Sequence, residues 1–194
     1  MLKRHSFPAP LMIERTLVIV KPDGVKARII GDVISRLERM GLKIIGLKMV
    51  RATEDQMAGF YPSDEEWFKS VGNKSIKSYQ EMGIDIRRDM GTDDPVQVGK
   101  IVKQWLVKYM VETPIVLIVV EGNHAIDTVR KLVGHTLPYM AAPGTIRGDY
   151  STDSPDLANK EKRAIHNLVH ASDGPESAAR EIHYWFSDNE LYDW

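Results

Sequence analysis

The sequence contains no cysteine, which excludes disulfide stapling, zinc–thiolate sites and thiol nucleophiles. Histidine, serine, threonine and the carboxylates remain as candidate nucleophiles. Charge of one sign is also lacking: 26 Lys and Arg against 27 Asp and Glu leave a net charge of −1. No global field draws the chain onto nucleic acid or a membrane, so any anion site must be local. Leu17 to Val20 is too short for a signal core or a spanning helix. These absences point to a cytoplasmic protein with neither a membrane nor a nucleic-acid partner. The phosphate-cradling pattern G-x-x-x-x-G-K-[ST] is missing, Gly72 to Ser75 being only a fragment of it, and G-x-G-x-x-G is missing too. A phosphate, if bound, must be held by side-chain cations.

What is present fits one packed domain carrying insertions: 194 residues, 43% hydrophobic and 27% charged. Residues 1–13, with Pro8 and Pro10, read as an arm outside the core. Thr16 to Val20 is a β-branched run ending in Lys21, Pro22, Asp23 and Gly24, as a buried strand entering a turn would. Val33, Ile34, Leu37 and Met40 share one helical face that Gly41 closes, and a strand follows to Val50. Thr53 caps a helix over 54–61, which Pro62 breaks. Residues 62–95 are polar, with short helical stretches, and read as a surface insertion. Helical spacing returns over 96–110, and Ile115 to Val120 is a central strand. A helix starting at Asn123 or Asp127 ends at Gly134. From 135 to 172 the pattern is mostly loop, with a short helix over 157–164, and Pro175 opens the last helix. The order predicts an α+β fold with a small antiparallel-containing sheet covered by helices.

Three sites could carry chemistry. Lys21, at a strand end before a tight turn, could place its ammonium at a cleft mouth, although the position also describes a solvated lysine. Arg147 lies between Gly144 and Gly148, where backbone can approach a ligand closely and a guanidinium can grip phosphate oxygens. An ordinary loop arginine fits there equally. His170 precedes the helix opened by Pro175, whose positive end would favour a phosphorylated imidazole. Glu181, eleven positions on, could fold back to orient the ring and fix its tautomer. Local context alone leaves a structural histidine open.

Taken together, V-K-P-D-G at 20–24, P-G-T-I-R-G-D at 143–149 and N-x-x-H-x-S-D at 167–173 resemble the nucleoside diphosphate kinase family. The resemblance covers most of residues 14–186, leaving 187–194 as a C-terminal tail. It implies a ferredoxin-like α+β core with inserted helical segments at about 62–101 and 151–166. The implied activity moves the γ-phosphate of a nucleoside triphosphate to a nucleoside diphosphate by a ping-pong cycle through His170. Mg2+ would be carried by the nucleotide phosphates, with no metal ligand from the protein. Lys21, Arg147 and Asn167 would contact phosphate or sugar, and Arg130 and Thr136, in R-x-x-x-G-x-T, the distal phosphates. Tyr61 would stand beside the histidine and Glu181 would bond it. A homo-oligomer is implied, as tetramer or hexamer, and the acidic, aromatic tail could dock on a neighbour.

Three departures from the family pattern stand out. Ala171 replaces the glycine after the histidine, which matters only where the backbone needs positive φ. The two insertions add chain, the second beside the nucleotide. Val102 and Lys103 occupy the place of an aromatic pair whose ring would stack on the base; Trp67 or Phe68 would supply the platform instead, with Phe68 the choice. A catalytically silent nucleotide-binding module on the same fold is the competing expectation, and an RNA-binding or protein-interaction domain a more distant one.

Overall fold

In the computed structural model, which describes residues 12–194, most of the arm expected over 1–13 lies outside the described residues. Ile13 already opens the first strand. Strand β1 (Ile13–Val20) is followed by short helix α1 (Pro22–Lys26), α2 (Ile30–Arg39) and β2 (Lys43–Val50). Helices α3 (Glu54–Phe60), α4 (Glu65–Glu81), α5 (Ile86–Met90) and α6 (Pro95–Met110) precede β3 (Ile115–Asn123). Then come α7 (Ala125–Val133), α8 (Ile146–Tyr150), α9 (Pro155–Lys160), β4 (Val169–Ala171) and α10 (Pro175–Trp185). The four strands form one sheet in the order β2-β3-β1-β4 with every pairing antiparallel. This is the expected ferredoxin-like α+β arrangement.

The alternation of side chains along a strand divides the core into two layers. Leu17 and Ile19 of β1 and Leu117 and Val119 of β3 point to one face, where Met57, Phe60, Met110, Ile182 and Trp185 cover them. Val18, Val20, Ile118 and Val120 point to the other, against Val33 and Leu37 of α2 and Val129 and Val133 of α7. Both faces are therefore buried, which is why Leu17 to Val20 and Ile115 to Val120 are apolar without a break.

Several expectations change in detail. The turn after β1 is a helical one, with Pro22 at its first position. Helix α7 starts after His124, in the left-handed region at φ 49°, rather than at Asn123 or Asp127. The loop expected up to Ser172 contains β4, whose His170 pairs with Ile19. Within 62–95 one helix is longer than expected: α4 runs 17 residues, and its Tyr79 joins Ile86 of α5 and Val98 of α6 in a small separate core. The tail lies on its own chain, the Tyr192 N–H donating to the Ile45 carbonyl at 2.8 Å and the Trp194 indole to that of Ile44 at 3.2 Å. Lys48–Glu190 and Lys43–Asp193 pairs fasten it along β2, a sheet edge.

Helix α9 and Lys162 just beyond it meet α4 and α5 across the molecule. Asn159, at α9, donates to the Ser78 hydroxyl of α4 at 3.3 Å, and the Lys162 ammonium reaches the Asp89 carbonyl of α5 at 3.3 Å. Helix α4 lies close to α6 because glycines face the contact. A Cβ at Gly99 would stand 2.2 Å from the Phe68 carbonyl oxygen. Gly99→Ala improves helix propensity by about 1 kcal/mol, but the clash should outweigh it, costing about 1–3 kcal/mol net. The expected result in thermal unfolding is a midpoint several degrees lower; an unchanged or higher midpoint would show that the contact relaxes.

Candidate active site

The end of β1, the turn before β4 and the loops around α8 converge at one end of the sheet. The first tie is main-chain: the Lys21 N–H donates to the Leu168 carbonyl at 2.8 Å. Leu168 sits at φ 67°, an unusual conformation for a side chain with a Cβ. Gly24 makes this approach possible, since a Cβ there would stand 2.7 Å from the Leu168 oxygen.

Arg147 is buried and serves the backbone. Its Nε donates to the Asn167 carbonyl at 3.1 Å, Nη1 to Gly134 at 2.9 Å and Nη2 to Val169 at 2.7 Å. Three of its five N–H donors are thereby engaged. Both terminal nitrogens keep one N–H for another acceptor.

Lys21 is also buried, and its Nζ donates to the Asn167 Oδ1 at 2.7 Å. The Asn167 amide nitrogen donates to the Thr136 carbonyl at 3.0 Å. Lys21, Arg147, Asn167 and the backbone of Thr136 thus form one network. Burial, followed by the like charge of Arg147, lowers Lys21 to about 8, against the opposing pull of Asp23. Burial lowers Arg147 to about 10, with Tyr109 and Asp23 pulling upward and Arg130 adding repulsion. Arg130 itself is exposed. Two buried cations lie close together here, with the Asp23 carboxylate as the negative group beside them.

His170, half-buried on β4, has its Nε2 2.7 Å from the Glu181 Oε2, while the Ser172 hydroxyl donates to the same oxygen at 2.7 Å. Glu181 is buried in α10, and Arg180 lies 3.5 Å from its other oxygen. A carboxylate can only accept, so the ring proton sits on Nε2 and the lone pair on Nδ1. Phe60 meets the imidazole edge-on at 5.6 Å, restricting its tilt. Tyr61 follows Phe60, and burial first, then the Glu181 charge, raises its hydroxyl above the ordinary phenol range. The arrangement is an imidazole held from behind through Nε2, with its Nδ1 lone pair directed away from Glu181.

Phe68 is the exception among the predicted residues. It is buried between α4 and α6, with the Lys103 ammonium 5.9 Å from its ring, and its backbone is the surface that Gly99 packs against. Trp67 is half-exposed and faces Tyr61 at 6.4 Å. Lys103, in place of an aromatic, clamps the end of α3: its Nζ donates to the Tyr61 carbonyl at 3.0 Å and the Pro62 carbonyl at 3.2 Å.

Sequence reasoning missed Asp23, Tyr109, Ser172 and Lys103 as members of the site. Asp23 and Ser172 lie within the quoted motifs, so their positions were a signal. Tyr109 carries no local signal: it stacks on His166 at 4.9 Å and lies beneath Lys21, 5.8 Å from the ammonium. Among the described residues no group of three or more His, Asp or Glu converges to hold a metal ion, and no helix is long and apolar enough to cross a membrane.

The family model "Nucleoside diphosphate kinase" matches residues 14–81 and 96–191. A nucleoside diphosphate kinase of Pyrobaculum aerophilum is 58% identical over 179 residues, covering 92% of this chain and 98% of that protein. The crystal structure of an NDP kinase from that organism superposes with a TM-score of 0.92 at 55% identity, over 93% of this chain and all of the other. A nucleoside-diphosphate kinase from Borrelia burgdorferi, solved as a transition-state mimic with vanadate and ADP, gives a TM-score of 0.71 at 37% identity. That match spans 94% of this chain and 92% of the other.

Ala171 is not among the residues with positive φ and lies within β4, so a methyl group there costs nothing. Ala171→Gly should leave turnover within about twofold and lower stability by about 0.5–1 kcal/mol through backbone entropy. Steady-state rates and urea unfolding check both; a large gain in rate would show that the alanine restrains the histidine.

Proposed function

The chain belongs to the nucleoside diphosphate kinase family, and from that premise we propose that it moves the terminal phosphate between nucleotides on the Nδ1 of His170. The observation that carries this reading is the 2.7 Å contact between His170 Nε2 and Glu181, which aims the proton at the carboxylate and the lone pair away from it. In the first half-reaction Nδ1 attacks the γ-phosphorus as the bond to the β–γ bridging oxygen breaks, and the electron pair leaves on the diphosphate. The ring becomes cationic, and Glu181 balances that charge. In the second, a terminal oxygen of another diphosphate attacks the same phosphorus, the N–P bond breaks, and neutral imidazole returns. No net proton is released to solvent on this route, which makes the transfer reversible.

Lys21, Arg130 and the N–H groups of Arg147 left over from its backbone contacts would supply positive charge to the phosphates. Asn167 and Thr136 suit the sugar and distal phosphate. Such pre-placed donors matter most in phosphoryl transfer, where charge spreads over oxygen atoms. A divalent cation, magnesium by expectation, fits as a passenger on the phosphate oxygens, since the site offers no converging carboxylates; bound there it would neutralise charge between phosphates. The half-exposed Trp67 beside Tyr61 suits base stacking better than Phe68. Self-association is supported by the exposed Leu47 and Met49 on edge strand β2, and a cytoplasmic location by the chemistry of the substrates.

Incubation with magnesium and γ-labelled ATP should place acid-labile label on the wild type and none on His170→Ala. A chase with GDP should return the label as GTP, and turnover of the variant should fall by at least about 1,000-fold. ATP binding without label would instead favour the silent module. Because Lys21 lies at about 8 in the free site, arriving phosphates raise it and proton uptake follows. Calorimetry near pH 8 in buffers of different ionisation enthalpy should report uptake of about half a proton per nucleotide. Proton release would contradict the assignment of Lys21 to the phosphates.

A further inference from the structure

Asp23 has no part in the transfer just described, yet its carboxylate is bonded from three directions. Oδ1 accepts the Gly24 N–H at 2.9 Å and the Tyr109 hydroxyl at 2.5 Å. Oδ2 accepts the Leu168 N–H at 2.9 Å. The carbonyl of that same Leu168 accepts the Lys21 N–H, so both polar ends of a residue at φ 67° are gripped by the segment Lys21–Asp23. Leu168 in turn joins Asn167, which bonds the Lys21 ammonium, to the strand that presents His170.

We infer that Asp23 is a positioning residue for the transfer, one that fixes where the Lys21 ammonium lies relative to His170 and acts as its counter-ion within the protein. The inference rests on the functional reading above. A left-handed non-glycine residue costs about 1–2 kcal/mol and persists only where its surroundings over-determine it. Here the Asp23 carboxylate and the Lys21 amide do so. The distance from the nucleophile to the phosphate-binding cation is then set by one carboxylate rather than by the flexible lysine stem.

The electrostatics point the same way. The groups facing Lys21 are Asp23 of α1, Arg147 of α8, Asn167 of the turn before β4 and Tyr109 of α6. Arg147 opposes the charged ammonium and Asp23 supports it. Asn167 is neutral, and burial and the neighbouring Asp23 hold the Tyr109 hydroxyl well above the ordinary phenol range, so it too stays neutral. Among the described residues, Asp23 is the negative group that supports the charged ammonium of Lys21 against burial and Arg147.

The test is the pH dependence of kcat/KM, which reports groups of the free enzyme. Asp23→Asn keeps an oxygen for the Leu168 N–H but removes the charge. The expected result is that phosphohistidine still forms, while the basic limb moves to lower pH by roughly 0.5–1 unit. Asp23→Ala also removes the acceptor, so kcat should fall as well and the Leu168 amide should exchange hydrogen faster. A basic limb at its wild-type position in both variants would overturn the inference and leave Asp23 a purely architectural residue. Should either variant fail to fold, Tyr109→Phe keeps the ring beneath Lys21 and frees the carboxylate of one donor; the limb should then stay or rise, and an acid-ward shift would sink the idea. Absence of phosphohistidine in the wild type is a separate result, removing the functional reading itself whatever the variants do.

Discussion

Three carbonyl oxygens, from Gly134, Asn167 and Val169, converge on the Arg147 guanidinium. They come from the end of α7 and from both sides of the left-handed Leu168. A guanidinium answers three divergent acceptors with donors to spare, and keeps its charge when buried more readily than an ammonium does. Bonds to a charged group contribute about 1.5–3 kcal/mol each, which offsets the cost of taking the cation out of water. Everything functional hangs from this: it seats Asn167, whose amide oxygen holds Lys21, and it anchors Val169, the neighbour of His170. The arginine expected to grip a ligand directly spends most of its donors holding the chain that does so.

The cost of that solution is electrostatic. A second cation, Lys21, is buried beside the first, and the pair repel. The free site is poised against its own charge, and Asp23 moderates the strain without removing it. Phosphate oxygens are the groups that would relieve it, so an electrostatically uncomfortable free state becomes selectivity for polyanions. The carboxylate behind the histidine belongs to the same scheme: on the proposed route Glu181 would balance a charge that exists only after phosphorus is attached.

The parts legible in the sequence were those with strong periodicity or tight local chemistry. The apolar runs of β1 and β3, the helices ended by Gly41 and Gly134, and the eleven-residue spacing from His170 to Glu181 all translated directly into structure. β4 did not, since three residues carry no period. The length of α4 was hidden because its buried face, Phe68 and Tyr79, is sparse among polar residues and meets partners on α5 and α6 distant in sequence. Lys103 looked like the loss of an aromatic; only the folded chain shows a clamp on the Tyr61 and Pro62 carbonyls. Likewise the acidic, aromatic tail reads as a segment that could dock on a neighbour until the edge of β2 is seen beneath it.

The contact of α9 and Lys162 with α4 and α5 has a consequence for how such a chain can vary. Ser78 meets Asn159, and Asp89 meets Lys162, across nearly half the sequence. Tyr79, buried beneath this junction, bonds Asp89 from below at 2.5 Å. Neither segment has a complete surface without the other: trimming one strips polar partners from its counterpart and opens a small apolar floor to solvent. The two segments, far apart along the chain, share one junction, so a change in the length of either is felt by the other.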